Sequence, residues 1–336
     1  MIPAELKRFA LSAFHRGGID RIGVSLHSRD ALVLVYHGIL TEERAEPFRY
    51  HHTVLEFSAH LEWLGRRYTP ASLSDFARWR RGEWRPRKPI VLVTFDDGYL
   101  NNATVAAPLL RRVGFPALFF IATGYIQAQR VLWPDEVFAR VRKWPRATLQ
   151  DPAGVAQAVP DRPEAREAMA LAIVEACKNC SDARRREFMT YLALETKDCD
   201  PLQDREAQGF MSWDDVRGLA DAGFDIGSHT ASHPILSNLS REQLRDELRE
   251  SRAEIETRTG ARCRALAYPN GRTRDISELV LSETAAAGYE FAFTVSNRWC
   301  RRASDALALD RVSPPGHSSL PTFALHASGW RQWLAL

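Results

Sequence analysis

Short apolar runs alternate with segments of helical apolar spacing along most of this chain, and this alternation constrains its fold more than any other feature. The predicted strands are 90–94, 117–122, 223–227, 265–268 and 291–295, and the predicted helices are 55–64, 73–79, 103–112, 241–259 and 276–287. A strand followed by a helix, repeated, is typical of parallel strands joined by crossover helices. The pattern therefore predicts an α/β fold.

Two adjacent carboxylates, Asp96 and Asp97, follow the predicted strand 90–94 and lead directly into Gly98. Side chains at the carboxyl ends of parallel strands face an open crevice, which is where α/β folds display catalytic groups. The side chains of consecutive residues point in different directions there. One carboxylate would therefore bind a metal ion while its neighbour faces a water molecule bound to that ion. An isolated Asp-Asp-Gly would more often be an ordinary turn.

His229 and His233 supply the second polar motif, directly after the predicted strand 223–227. Their spacing of four residues predicts that both imidazoles lie on one side of a helical turn. Two surface histidines would be the ordinary interpretation of this pair alone. Together with the carboxylates, the pair predicts a three-ligand metal site with an open coordination position.

With these motifs the sequence resembles the polysaccharide deacetylase family, the metal-dependent carbohydrate esterases that share a NodB-like domain. The resemblance depends on TFDDGY at 94–99, SHTASH at 228–233 and AYPNG at 267–271, and it extends from about residue 31 to about residue 329. It implies a distorted, incomplete (β/α) barrel of the NodB-homology type. It also implies that Asp97, His229 and His233 are the metal ligands and that Asp96 is the general base.

A general acid is also required, because the leaving nitrogen of an amide must receive a proton. His37 follows the apolar run 33–36, and its setting resembles the circularly permuted poly-N-acetylglucosamine deacetylase branch of the family, in which an N-terminal strand ends in Tyr-His. His37 is therefore the predicted general acid, although a histidine that caps a buried strand is the alternative. His326 is the rival candidate, but the run 322–326 is more typical of an amphipathic helix.

The third motif departs from the commonest form in the family. Ala267 stands where an arginine usually pairs with the base aspartate, and Arg311 is the predicted replacement because it follows a short apolar run near the C-terminus. Asn270 stands where a tyrosine is common. In the family the backbone N–H of that residue helps to bind the developing oxyanion, a function that does not depend on the side chain.

The ligand types predict a divalent metal ion as the cofactor. Two imidazoles and one carboxylate suit zinc best, although cobalt, nickel, manganese or iron would also be bound by this set.

Composition and charge argue against a nucleic-acid-binding protein and against a disulfide-stabilised one. The chain has 336 residues, of which 45% are hydrophobic, and a net charge of +3, which is too small to predict nucleic acid as a partner. Its odd number of cysteines, five, fits a reducing compartment better than a disulfide framework.

The N-terminal sequence predicts no signal peptide and no membrane span, so we expect a cytoplasmic location. Residues 3–22 have helical apolar spacing with interleaved Lys and Arg. Such a helix would lie on the inner face of the membrane, beside a lipid-linked sugar, although a stripe of this kind more often packs against its own domain.

We predict an N-terminal helical segment at 1–30 and a deacetylase domain at 31–329. Residues of about 127–209 interrupt the alternation with charged helical segments, chiefly 164–180 and 182–194, and are predicted to form an insertion beside the mouth of the barrel. Trp133, Trp213 and Tyr99 are aromatic candidates for contact with sugar rings.

The leading functional hypothesis is a metal-dependent hydrolase that removes N-acetyl groups from amino sugars of a bacterial surface polysaccharide or exopolysaccharide. The same site would also serve a deacylase or deformylase of a lipid-linked sugar, or an O-acetyl esterase. A non-catalytic carbohydrate-binding protein is the remote alternative. It is supported only by the missing arginine of the third motif.

Overall fold

A curled parallel sheet forms the centre of the protein, whose computed structural model describes residues 17–42, 50–126, 128, 130–316 and 318–330. The strands in these ranges are β1 (Ala31–Tyr36), β2 (Ile39–Leu40), β3 (His52–Thr53), β4 (Thr69–Pro70), β5 (Ile90–Phe95), β6 (Ala117–Ile121), β7 (Thr148–Gln150), β8 (Ala156–Ala158), β9 (Asp225–Ser228), β10 (Ala265–Ala267) and β11 (Phe291–Phe293). Seven of them form the main sheet in the order β1-β5-β6-β9-β10-β11, with β4 beside β5, and all neighbours are parallel.

Helices connect these strands and cover the sheet. The α-helices in the described ranges are α1 (Ile19–Leu26), α2 (Val54–Arg67), α3 (Leu73–Arg80), α4 (Ala107–Val113), α5 (Trp133–Arg142), α6 (Pro163–Lys178), α7 (Asp182–Glu195), α8 (Arg205–Gln208), α9 (Trp213–Asp221), α10 (Arg241–Thr259), α11 (Glu278–Ala286) and α12 (Leu320–Ala327). None of them is long and apolar enough to cross a membrane. The first sixteen residues, which include most of the predicted N-terminal helix, lie outside the described ranges.

The predicted α/β fold is confirmed, because the sheet curls into an incomplete barrel surrounded by helices. Between the edge strands β11 and β1 lies a short segment that pairs with both of them through single bridges. Leu309 is paired with Phe293 of β11, and Val312 with Leu34 of β1. Arg311 therefore lies between the two edges of the sheet.

The sheet buries apolar side chains on both of its faces. In β1, Leu32 and Leu34 belong to a cluster with Phe57 of α2, whereas Val33 belongs to a second cluster with Phe76 of α3. Successive side chains of a strand point to opposite faces, so two buried faces require an almost continuous apolar strand. All six residues of β1 and all six of β5 are accordingly buried.

The inserted region contains α5 to α8 and the antiparallel hairpin of β7 and β8. Its two longest helices, α6 and α7, occupy the predicted helical segments. The hairpin was not predicted, because its strands are only three residues long and carry no apolar alternation that distinguishes them from a loop. The insertion has an apolar cluster of its own that includes Trp144, Leu149 and Phe188.

The predicted helix 103–112 is correct only in its second half. Residues Asn102–Ala106 form a wider π-helical turn before α4 begins at Ala107. Pro108 has no N–H to donate to the preceding turn. At the start of the π-helical turn, the side chain of Asn102 donates to the backbone oxygen of His37.

Candidate active site

The predicted polar residues meet at the carboxyl ends of the central strands. Tyr36 and Phe95 are paired as the last residues of β1 and β5, so His37 and Asp96 follow neighbouring strand ends. The backbone N–H of Asp96 donates to the Tyr36 oxygen at 2.9 Å, which continues the ladder for one more residue. His37 is half-buried and stacks on Tyr50, with ring centroids 5.1 Å apart.

Asp97, His229 and His233 form a compact cluster of possible metal ligands. The Oδ1 atom of Asp97 lies 3.4 Å from His229 Nε2 and 3.5 Å from His233 Nε2. One ligand atom from each of the three residues lies within 4.8 Å of the others, and all three residues are buried. No other group of this kind is found in the part of the chain that the structure describes.

The two histidines do not share a helical turn, so that prediction is wrong. Residues 229–235 form a loop in which Thr230 and His233 have positive φ angles of 67° and 54°, which a right-handed helix does not allow. Side-chain oxygens take the place of helical carbonyls as acceptors. Ser228 Oγ accepts from the Thr230 N–H at 3.0 Å, and Thr230 Oγ1 accepts from the His233 N–H at 3.1 Å.

The imidazole of His229 is oriented by the backbone of the next strand. Its Nδ1 lies 2.7 Å from the oxygen of Ala267, the last residue of β10, and therefore donates to it. Nε2 is then the nitrogen directed at Asp97. A ligating histidine usually donates its other ring N–H in this way, because that contact fixes both the tautomer and the ring plane.

Burial and mutual charge determine the protonation of the cluster. Burial acts to raise the pKa of Asp97, but the hydrogen bond with His229 and the charges of His37 and His233 outweigh it and lower that pKa. Burial and the neighbouring His229 lower the pKa of His233 to about 3. Burial acts to lower the pKa of His229 as well, but Asp96 and Asp97 outweigh it and raise that pKa.

These residues fit a divalent ion. Ligand atoms bound tetrahedrally to zinc at about 2.0–2.1 Å lie roughly 3.4 Å from one another. The two separations from Asp97 Oδ1 are 3.4 Å and 3.5 Å, and all three ligand atoms lie within 4.8 Å of one another. Asp97 is ionised and His233 is neutral, which are the forms that bind metal. Without a cation, Asp96 and Asp97 favour the protonated form of His229. A bound cation would take the place of that proton.

Arg311 contacts Asp96, as the sequence analysis expected of the substitute for the missing arginine. Its Nη1 and Nη2 donate to the two carboxylate oxygens of Asp96 at 2.7 Å and 2.8 Å. Arg311 is completely buried, and its remaining donors bind Thr94 Oγ1 at 3.1 Å and the Thr294 oxygen at 3.0 Å. Burial acts to raise the pKa of Asp96, but the guanidinium of Arg311 outweighs it and lowers that pKa.

Asn270 lies in a turn after β10 with a positive φ of 62°, and its side chain donates to Asp275. The side chain is therefore already engaged by Asp275. Among the described residues, no acceptor lies at hydrogen-bonding distance of the Asn270 backbone N–H. This N–H is therefore free to donate a hydrogen bond to an oxyanion.

Most of these groups line one cavity of about 740 Å³, whereas the buried Arg311 contacts Asp96 without lining it. His37, Asp96, Asp97 and both ligand histidines contribute to its wall, and so does His326 from α12. The structure thus brings both candidate general acids to the same cavity. Its volume is within the range of about 300–1,000 Å³ that is typical of sites for small ligands.

The insertion contributes two site residues whose contacts were not predicted, Trp133 and Asp135. The indole Nε1 of Trp133 donates to the backbone oxygen of His233 at 3.2 Å. Asp135 accepts a hydrogen bond from the Tyr99 hydroxyl at 2.7 Å, and burial raises the pKa of Asp135 to about 6. Both residues belong to a Trp-Pro-Asp-Glu sequence that resembles any helix start, so nothing local distinguishes them.

The aromatic candidates for sugar contact are all buried. Trp133, Trp213 and Tyr99 are each less than 5% exposed. Trp133 and Tyr99 line the cavity, whereas Trp213 does not. None of the three presents an open ring face to solvent.

Comparison with known proteins identifies the family. The polysaccharide deacetylase family matches residues 84–292, which is more than half of the chain. The chain belongs to the polysaccharide deacetylase family. A protein of Bacillus subtilis (strain 168), YxkH, provisionally named a polysaccharide deacetylase, is 34% identical over 67 residues, which are 20% of this chain and 24% of YxkH. The chain thus matches about a quarter of the length of that relative.

Solved structures share the deacetylase fold at low sequence identity. A de-N-acetylase of Aggregatibacter actinomycetemcomitans is 15% identical, with a TM-score of 0.58 over 88% of this chain and 99% of that one. IcaB of Ammonifex degensii is 19% identical, with a TM-score of 0.57 over 89% of this chain and 97% of that one. At these identities the similarity establishes the fold.

Proposed function

We propose that this protein is a divalent-metal-dependent hydrolase that removes N-acetyl groups from amino sugars of a bacterial surface polysaccharide or exopolysaccharide. The observation that carries the proposal is the convergence of two units in one cavity. These units are the ligand cluster of Asp97, His229 and His233 and the buried pair of Asp96 and Arg311. The similarity to a protein named a de-N-acetylase supports an N-acetyl rather than an O-acetyl substrate.

Asp97, His229 and His233 would hold the ion, for which zinc is the best candidate. When bound, such an ion acts as a Lewis acid on the acetyl carbonyl and increases the acidity of water.

Asp96 is proposed to be the general base. It accepts a proton from the attacking water while the oxygen of that water forms a bond to the carbonyl carbon. The bidentate contact with Arg311 keeps this carboxylate ionised and fixes the plane of its two oxygens. The remaining lone pairs of the carboxylate are thereby directed into the cavity.

His37 is proposed to donate a proton to the leaving nitrogen as the C–N bond breaks, which releases acetate and a free amine. His326 lines the same cavity and is the competing donor. The backbone N–H of Asn270 is proposed to stabilise the oxyanion, because it is an unpaired donor in a fixed turn.

A lipid-linked sugar is the second candidate substrate, and we propose that the protein acts in the cytoplasm at the inner membrane face. The supporting observation is the side of α1 formed by Ile19, Ile22 and Leu26, which are 39%, 55% and 66% exposed. Apolar residues at this spacing form one face of a helix, as in helices that lie on a membrane surface.

The alternative of a non-catalytic carbohydrate-binding protein has lost its only support. That support was the missing arginine of the third motif, and Arg311 makes the corresponding contact with Asp96.

Acetate release from a short N-acetylglucosamine oligomer tests the proposal. We expect release by the wild type, loss of release after EDTA treatment, and recovery after zinc is added. Asp97→Ala should stay inactive with zinc, because it removes a ligand. Release that persists in EDTA-treated protein, or in Asp97→Ala, would contradict the proposal.

A further inference from the structure

The insertion contacts the loops that follow β9 and β10, and it forms part of the wall of the cavity. Trp133 binds the backbone of His233, and Glu175 of α6 forms a bidentate ion pair with Arg272, at 2.6 Å and 2.8 Å. Arg272 lies two residues after Asn270 in the third motif loop. The side chain of Asn238 also donates to the backbone oxygen of Lys178, at 3.0 Å.

One face of α6 lines the cavity along most of the length of the helix. Glu167, Leu171, Val174 and Lys178 all contribute to the wall, and their spacing places them on one side of the helix. Phe138 of α5 lines the cavity beside them. The distance from Glu167 to Lys178 along the helix axis is about 16 Å, and the cavity-lining residues between them are apolar.

The charged residues at the two ends of this face are held in ion pairs. Glu167 is paired with Arg142, in a contact that includes a 3.2 Å hydrogen bond from Nη2. Lys178 is paired at 3.0 Å with Glu175, which it shares with Arg272. Positive charge therefore exceeds negative charge at the Lys178 end, whereas the middle of the face carries no charge.

The chemistry of the middle of the face favours an aliphatic occupant. Sugar hydroxyls placed against Leu171, Val174 and Phe138 would lose hydrogen bonds to water without replacement, which is costly. An alkyl chain would lose none and would gain burial. The face belongs to the same cavity as Asp96 and Asp97, so a substrate bound at those carboxylates can extend along it.

We propose that Phe138, Leu171 and Val174 form a subsite for an aliphatic chain carried by the amino-sugar substrate. This inference rests on the proposed function and favours, among its candidate substrates, amino sugars that carry a lipid or another aliphatic chain. The chain would belong either to the aglycone or to the N-acyl group.

The test compares octyl and methyl N-acetylglucosaminide, below micellar concentrations, as substrates of the zinc-loaded enzyme. If the chain belongs to the aglycone, we expect kcat/KM to be at least tenfold higher for the octyl compound, because each buried methylene contributes a factor of about four. Methyl N-octanoylglucosaminide forms the second arm. A preference for it places the chain in the acyl group, and a preference for the octyl glycoside places it in the aglycone.

Leu171→Asn should abolish most of this preference. Leu194→Asn is the matched control, because Leu194 lies on α7 of the same insertion, is 72% exposed and does not line the cavity. Phe138→Ala is a second variant in case Leu171→Asn does not fold. The proposal is overturned if the wild type hydrolyses all three compounds equally, or if the preference survives both cavity variants.

Calorimetric binding of the three compounds separates this proposal from the proposed function. We expect at least one of the two compounds with an eight-carbon chain to bind at least tenfold more tightly than methyl N-acetylglucosaminide, even if none is hydrolysed. Equal affinities for all three would overturn the subsite. Hydrolysis of none of these compounds and not of the oligomer would instead count against the proposed function.

Discussion

At the scale of single residues, the pair of Asp96 and Arg311 is the most demanding feature of the site. Arg311 is completely buried and Asp96 is 3% exposed, so each charge depends on the other for compensation. The sequence identified Asp96 through its motif and Arg311 only as a candidate. The contact itself joins residues 215 positions apart, and no local pattern reports such a contact.

Arg311→Ala is predicted to lower kcat by about 10²-fold or more, because the general base loses its orientation. The pKa of Asp96 should rise once burial is no longer outweighed by the guanidinium. Because Asp96 acts only when ionised, the acidic limb of kcat/KM should move to higher pH. Arg311→Lys should keep the charge but not the bidentate contact and should recover part of the activity.

The measurement is the pH profile of acetate release for both variants. Arg298→Ala is the control, because Arg298 is an exposed arginine in the loop after β11. An Arg311→Ala enzyme with the wild-type kcat and pH profile would contradict the proposed positioning of the base.

At the scale of elements, the sequence predicted the strands better than the loops between them. The main strands could be predicted from their apolar runs because both faces of the sheet are buried. The loop of His229 and His233 was predicted as a helical turn, since four-residue spacing is all that the sequence shows. The left-handed conformations in this loop depend on side-chain acceptors such as Thr230 Oγ1. They also depend on the hydrogen bond from Trp133 to the His233 oxygen, which joins residues 100 positions apart in the sequence.

Trp133→Phe is predicted to weaken zinc binding by about tenfold, the lower end of the effect expected when an outer partner of a ligand is removed. The phenyl ring keeps most of the packing but cannot donate to the His233 oxygen. Within the described residues His233 Nδ1 has no hydrogen-bond partner, so backbone contacts such as this one must hold its ring.

Competition with a chromophoric chelator measures this affinity, with thermal melting of the metal-free protein as a check on folding. Trp213→Phe is the matched control, because Trp213 is also a buried tryptophan but does not line the cavity. Equal zinc affinities for the two variants would show that the indole N–H does not position His233.

At the scale of the whole molecule, the fold explains why distant motifs form one site. Parallel strands bring the residues after β1, β5, β9 and β10 to the same edge of the sheet, and the segment 309–312 adds Arg311 where the barrel would otherwise be open. Family resemblance predicted this barrel from the motifs. It did not predict how the insertion contacts them, because those contacts depend on tertiary packing and not on local sequence.

The zinc content of the protein after equilibrium dialysis tests the central claim most directly. We predict one bound ion per chain for the wild type and for His326→Ala, whose histidine lines the cavity outside the ligand cluster. We predict none for His229→Ala, because two ligands cannot complete the site. A wild type that binds no zinc, or a His229→Ala variant that retains it, would contradict a metal centre formed by Asp97, His229 and His233.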